Sequence, residues 1–154
     1  MHTWILALAM MASSAPATAP TIKMPIAKGF WINAADKCGT ATNGYAYDGA
    51  RWGAVYFFGP NASKGPVAEL EKIGRTNPAP GGFTNMQLGD YQGVGYFHLK
   101  SVDPTRAILR TGAPSPEGIQ VMDDRLLKCD FAALSTKMKQ ALQRLAPAIA
   151  AATK

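Results

Sequence analysis

Gly44-Tyr45-Ala46-Tyr47-Asp48-Gly49-Ala50-Arg51-Trp52-Gly53-Ala54-Val55-Tyr56-Phe57-Phe58 is the stretch that decides the fold class. Two aromatic-rich runs flank Asp48-Gly49, and Asp-Gly between strand-like runs is a strong hairpin signal because both residues tolerate positive φ. In the second run Trp52, Ala54, Tyr56 and Phe58 fall on one face of a strand, and Val55 and Phe57 on the other. Apolar residues on both faces predict a central strand. Gly59-Pro60-Asn61 then turns the chain.

Upstream, residues 26–32 read as a first strand, rich in aromatic and β-branched residues. Residues 33–43 are loop-like around Cys38, and residues 18–24 form an extended, loosely held lead-in between prolines. Downstream, residues 66–73 fit two templates. Val67, Leu70 and Ile73 have helical spacing, Pro66 suits a first helical position and Gly74 a stop; as a strand the segment would run on through Thr76. The short helix is the preferred reading. Residues 77–82 are a loop, and a meander follows, with strands at 83–88, 93–102 and 106–111. Asp103-Pro104-Thr105 turns the chain within it. Residues 118–122 and 125–129 read as a last pair around Asp123-Asp124.

Asp130 is a fair N-cap for a helix from Phe131. Phe131, Leu134, Met138, Ala141 and Leu145 recur at three- and four-residue spacing, as an amphipathic helix requires. Pro147 ends it, and residues 147–154 are expected to be a flexible tail. The expected class is therefore mainly β: a small antiparallel barrel or sandwich of about seven or eight short strands with a C-terminal amphipathic helix.

The amino terminus speaks to compartment. Residues 4–12 form an apolar run too short to cross a bilayer, which takes about 20 residues. Small residues follow it, and Ala15-Pro16-Ala17 offers a signal-peptidase site. Ala17-Thr18-Ala19 competes but would put Pro20 just after the scissile bond. Residues 1–17 are thus expected to be a cleaved secretory signal, although only His2 stands where basic residues usually precede the run. Residues 18–146 form the single domain. No second run of spanning length follows, so no stable membrane insertion is expected, and the predicted location is periplasmic or secreted. The chain carries two cysteines, Cys38 and Cys129. An even count in an exported chain reads as a disulfide. A tetrahedral metal site would need four ligands at short paired spacings, and these two thiols with His98 do not supply them.

The 154 residues carry a net charge of +6, with 47% hydrophobic and 17% charged residues, enough apolar content for a real core. The basic residues are scattered, which permits weak association with anionic surfaces but specifies none. The export signal and the lack of a recognisable motif disfavour nucleic acid.

Catalytic motifs are missing. Gly-x-Ser-x-Gly does not occur, and Gly93-Val94-Gly95 is a dinucleotide-fingerprint fragment on a strand, where it cannot cradle phosphate. Asp123-Asp124 reads as a solvated turn, since adjacent carboxylates diverge and a hard cation wants six or more oxygens. His98, the only histidine left after processing, has no carboxylate or nucleophile placed beside it by any spacing rule. No catalytic residue, cofactor or metal is assigned. Trp31, Arg51, Trp52 and His98 are the candidates for a binding surface, because tryptophan and arginine dominate interface hot spots.

The plan also resembles the lysozyme-inhibitor β-barrels of the Gram-negative envelope in its two cysteines and strand count. That resemblance implies an inhibitor of a secreted hydrolase. The family's Ser-Gly-x-x-Tyr motif is not present, and Gly95-Tyr96 is its nearest fragment. The expected function is an exported, non-enzymatic binding protein of the bacterial envelope, its partner a protein or a small ligand. A hydrolase inhibitor, a carrier of a small apolar or anionic ligand, and a small enzyme built on His98 are the alternatives.

Overall fold

In the computed structural model, which describes residues 22–57 and 66–151, the hairpin at Asp48-Gly49 is the first of a continuous meander. Eight antiparallel strands follow one another and close into a barrel. They are β1 (Gly29–Asn33), β2 (Asn43–Tyr47), β3 (Arg51–Phe57), β4 (Pro66–Ala79), β5 (Phe83–Leu88), β6 (Tyr96–Asp103), β7 (Arg106–Ser115) and β8 (Gly118–Cys129). The closing seam pairs β1 with β8, Phe30 opposite Cys129 and Ile32 opposite Leu127. The expected signal peptide, residues 1–17, lies outside the described residues.

Strand alternation divides the apolar residues into two clusters on opposite sides of the barrel wall. Inside, Trp31, Trp52, Ile73, Met86, Leu99, Leu109 and Leu126 pack together. Outside, Phe30, Ile32, Ala46 and Val55 make an apolar face on β1–β3 that the carboxy-terminal helices cover. This is why β3 is apolar on both faces. Gly53, on that strand, meets β4 closely: a Cβ there would lie 1.7 Å from the Glu69 carbonyl oxygen, so only glycine fits.

Several elements differ from their sequence reading. Residues 66–73 are not a helix but the first half of the 14-residue β4, which runs through the expected loop at 77–79. Helical spacing misleads here because both faces of the strand matter: Ile73 points into the barrel, while Ala68 and Leu70 pack outward under the helices. A register shift between Ile73 and Arg75 accommodates the strand's bend. Asp123-Asp124 is not a turn either. β8 is unbroken through it, with Asp123 opposite Arg110 and Asp124 opposite Leu109.

The helix begins later than expected. Phe131–Ala133 form one 3-10 turn on which the Asp130 side chain makes no cap. Ser135 is the true N-cap of α1 (Thr136–Leu145), accepting from the Met138 N–H at 3.2 Å. The expected stripe is present: Met138, Ala141 and Leu142 are buried against the outer wall. Residues 147–151 were expected as part of a flexible tail but form a second short helix, α2 (Pro147–Ala151), whose Ile149 is buried. The first helix does end just before Pro147, as expected, with Ala146 as its C-cap, and Pro147 then opens the second, which its fixed φ and missing donor allow at a first helical position.

The barrel has two unlike ends. At one end the hairpin turns at 48–50 and 104–105 and the lead-in come together. The lead-in is not loose: Ile22, Met24 and Ile26 pack into the interior cluster, and the Lys23 N–H donates to Thr76 Oγ1 at 3.0 Å. Trp31 fills this end, its Nε1–H donating to the Ala27 carbonyl at 3.3 Å.

Both turns here use the same device, an aspartate followed three residues later by an arginine. Asp48 Oδ1 accepts from the N–H groups of Ala50 and Arg51, and Asp48 Oδ2 pairs with Arg51. Asp103 does the same with Thr105 and Arg106. Gly49 takes the positive φ, +102°. Asp48 therefore acts through its side chain and not, as Asp-Gly hairpins usually have it, through a left-handed backbone.

Cys38 and Cys129 form the disulfide, 91 residues apart in sequence. Cys129 lies on β8 opposite Phe30 of β1, so the bond staples the barrel's closing seam. That seam joins the two ends of the meander and is the costliest pairing to close in entropy. In the chain-entropy picture a loop this long contributes up to roughly 4.6 kcal/mol.

Candidate binding cavity

At the other end the apolar filling stops short of the rim. Register places Glu71 opposite Trp52, Glu69 opposite Ala54 and Val67 opposite Tyr56, and it places Tyr45 opposite Ala54. Trp52 faces inward, so by alternation Ala54 and Tyr56 do as well, and with Ile73 so do Glu71 and Glu69. The result is a cavity of about 500 Å³ open to solvent, walled by Tyr45, Trp52, Leu88 and Phe97 with Glu69 and Glu71 among them. An eight-stranded barrel is just wide enough either to be filled by its own side chains or to hold one small ligand. This one is filled at one end and left open at the other.

Tyr45 and Trp52 stack with ring centroids 5.4 Å apart and planes 9° from parallel. The stack forms a flat aromatic wall whose lower ring is locked in the core. Burial, and next the Asp124 carboxylate, push the Tyr45 phenol above its ordinary range, so it stays protonated. A second hollow beside Tyr45 reaches Asn33, Asn43, Tyr56 and Asp124. The Tyr56 hydroxyl donates to Glu69 Oε1 at 2.9 Å, fixing that carboxylate at the wall. The connection after β5 arches toward the mouth, where the Gly95 N–H donates to the Tyr91 hydroxyl at 3.2 Å.

The four candidates for a binding surface have separate fates. Trp31 and Trp52 are 0% and 1% exposed, so neither is an exterior contact; Trp31 is core and Trp52 is cavity wall. Arg51 is a brace: besides Asp48 it donates to the Leu145 carbonyl at 3.1 Å, tying the first hairpin to the last turn of α1. His98 is on the outer face, stacked on Tyr96 with centroids 4.2 Å apart and beside Phe83. Burial, and then the nearby Arg110 guanidinium, hold its pKa below the ordinary value. Arg110 itself lies over the Phe83 ring and forks onto both oxygens of Asp123. The groups around His98 are aromatic and cationic, an arrangement suited to packing and not to proton transfer.

Comparison with known families, with curated proteins and with solved structures finds no match to this chain.

Sequence reasoning missed Tyr45, Glu69, Glu71 and Asp124 as site residues. The available signal was two glutamates at alternate positions in a strand whose neighbours of the same parity are Val67 and Ile73. Charge on an otherwise apolar, inward face marks either a mis-assigned strand or a cavity.

Proposed function

We propose that this is an exported, non-enzymatic binding protein of the bacterial envelope, periplasmic or secreted, that carries a small ligand in the open end of its barrel. The observation that carries the reading is the cavity itself: preformed, largely apolar and aromatic, with a few placed polar groups, as ligand sites generally are. The seam disulfide fits a chain that folds outside the reducing cytosol, and the apolar run with its small-residue cleavage region supplies the export route. Among the described residues no helix is long and apolar enough to cross a membrane.

A neutral apolar fluorophore, N-phenyl-1-naphthylamine, tests this directly. The chain should raise its fluorescence with saturable 1:1 stoichiometry. Ala54→Phe, which puts a ring into the hollow, should abolish the signal without altering the circular dichroism spectrum. Equal enhancement by Ala54→Phe would place binding elsewhere and end the cavity reading.

A protein partner, including a secreted hydrolase, is favoured by a different observation. The β7–β8 hairpin extends beyond the barrel with Ile119 and Val121 exposed on β8, and solvent-exposed apolar residues of this kind mark contact surfaces. Capture of a defined partner that survives Ala54→Phe but fails on Val121→Lys would support that reading instead.

A further inference from the structure

We infer that the cavity selects an organic cation, a ligand with an apolar or aromatic body and an ammonium-type head; this rests on the cavity reading above and names its ligand class. The chain is basic overall, with 16 Lys and Arg against 10 Asp and Glu. Its cavity has the opposite sign: Glu69 and Glu71 line the main hollow, Asp124 lines the adjoining one, and among the described residues no lysine or arginine lines either. The three ion pairs among the described residues employ Asp48, Asp103 and Asp123, which leaves the cavity carboxylates out of every one of them. Among the described residues no ion pair cancels their charge, and the exposed Glu69 and Glu71 set a negative potential at the mouth of the cleft.

The aromatic walls add to the same preference. The faces of tyrosine and tryptophan attract cations through the ring quadrupole, more strongly when the site is partly desolvated. Tyr45 stacks on the buried Trp52 at the cavity wall, and Tyr56, which lines the adjoining hollow, donates to Glu69 of the main one. A bare metal ion does not suit this arrangement. Among the described residues no three carboxylate, histidine or cysteine groups converge closely enough to hold one, whereas a hard cation wants six or more oxygens around it. Dispersed carboxylates beside aromatic faces match a larger cation with spread charge. An anionic ligand, weighed from the basic composition, is disfavoured by the same carboxylates.

Three probes of like size separate the possibilities: phenyltrimethylammonium, its neutral isostere tert-butylbenzene, and benzenesulfonate, each titrated against intrinsic tryptophan fluorescence. Phenyltrimethylammonium should bind at least about tenfold more tightly than tert-butylbenzene, and benzenesulfonate should not bind measurably. In the double variant Glu69→Gln/Glu71→Gln that preference should shrink to about twofold or less, while tert-butylbenzene keeps its affinity and so reports that the fold is intact. Equal affinities of cation and isostere in the unaltered chain overturn cation selection and leave the cavity reading standing. If none of the three binds, both fall together. The comparison on the unaltered chain decides the question alone if the double variant fails to fold.

Discussion

The two ends of this barrel are built from the same eight strands and are packed in opposite ways. At the turn end, Trp31, Leu99, Leu109 and Leu126 fill the interior, the lead-in plugs it, and two Asp-x-x-Arg turns pin the hairpins. At the other end the interior residues shrink to Ala54 and Ala113 or become charged, and a cavity opens. A barrel filled throughout would be more stable but would have nowhere to put a ligand. On the proposed reading, stability and binding fall to different layers of one meander, with Trp52 as the floor between them. If so, substitutions at the two ends should separate folding from binding.

The largest effect should come from emptying the packed end. Trp31→Ala removes a fully buried indole, and truncations of this kind cost about 3–5 kcal/mol. Urea unfolding should show that loss as a lower midpoint with an unchanged slope. A cost under about 1 kcal/mol would mean the interior does not carry the fold and the outer, helix-covered cluster does. Next comes the seam. Replacing Cys38 and Cys129 by serine should cost about 2–4 kcal/mol, in a bond that joins positions 91 residues apart. The loss should appear in the unfolding midpoint with ligand affinity unchanged, because the disulfide lies outside the barrel wall with the helix-covered cluster. Lost binding in an otherwise folded serine variant would show that the seam also shapes the cavity.

At the open end the balance reverses. Ala54→Phe should eliminate binding while shifting stability by no more than about 1 kcal/mol, since it fills space and displaces no packed side chain. Calorimetric unfolding of this variant beside the native chain measures the second quantity. A destabilisation as large as that of Trp31→Ala would erase the distinction between the two ends.

The same division explains what the sequence disclosed. Away from the cavity much was legible: the Asp48-Gly49 hairpin, the strands at 83–88 and from Arg106, the cysteine pair and the helical stripe through Met138 and Ala141 were each found by a local rule. The two misread strands, β4 and β8, are those that carry the cavity carboxylates. Glu69 and Glu71 break the inward alternation of β4, so Val67, Leu70 and Ile73 look helical. Asp124, inward on β8, and Asp123, outward and paired with Arg110, together look like a polar turn. A pattern rule assumes an apolar interior, and it fails where the interior opens into a cavity lined in part by carboxylates. Closure was not legible for another reason. Pairing β1 with β8 is decided by strand tilt and stagger summed around the whole barrel, which no local window contains.

The smallest effect tests the turns that pin the packed end. Asp103 is held down to about 2 from an ordinary 3.8, first by the Thr105 backbone N–H and then by the Arg106 guanidinium. A carboxyl whose pKa is lowered by folding stabilises the folded state above its unfolded pKa, and the contribution drains away as pH falls through the folded value. For Asp103 that window runs from about 4 down to about 2. Asp48 works in the same direction. Burial pushes it up, yet the Ala50 and Arg51 N–H groups and the Arg51 side chain outweigh burial and hold it below its ordinary value. Asp103→Asn should therefore lower the melting temperature modestly at neutral pH, and the gap to the native chain should stay constant down to about pH 5 and close between about pH 4 and pH 2. Ligand affinity should not move, because this turn is at the far end from the cavity. A gap that persists unchanged at pH 2 would show that the Asp103 side chain acts through contacts that survive its protonation and not through its charge, and the pinning attributed here to the Asp-x-x-Arg ion pair would have to be reassigned to them.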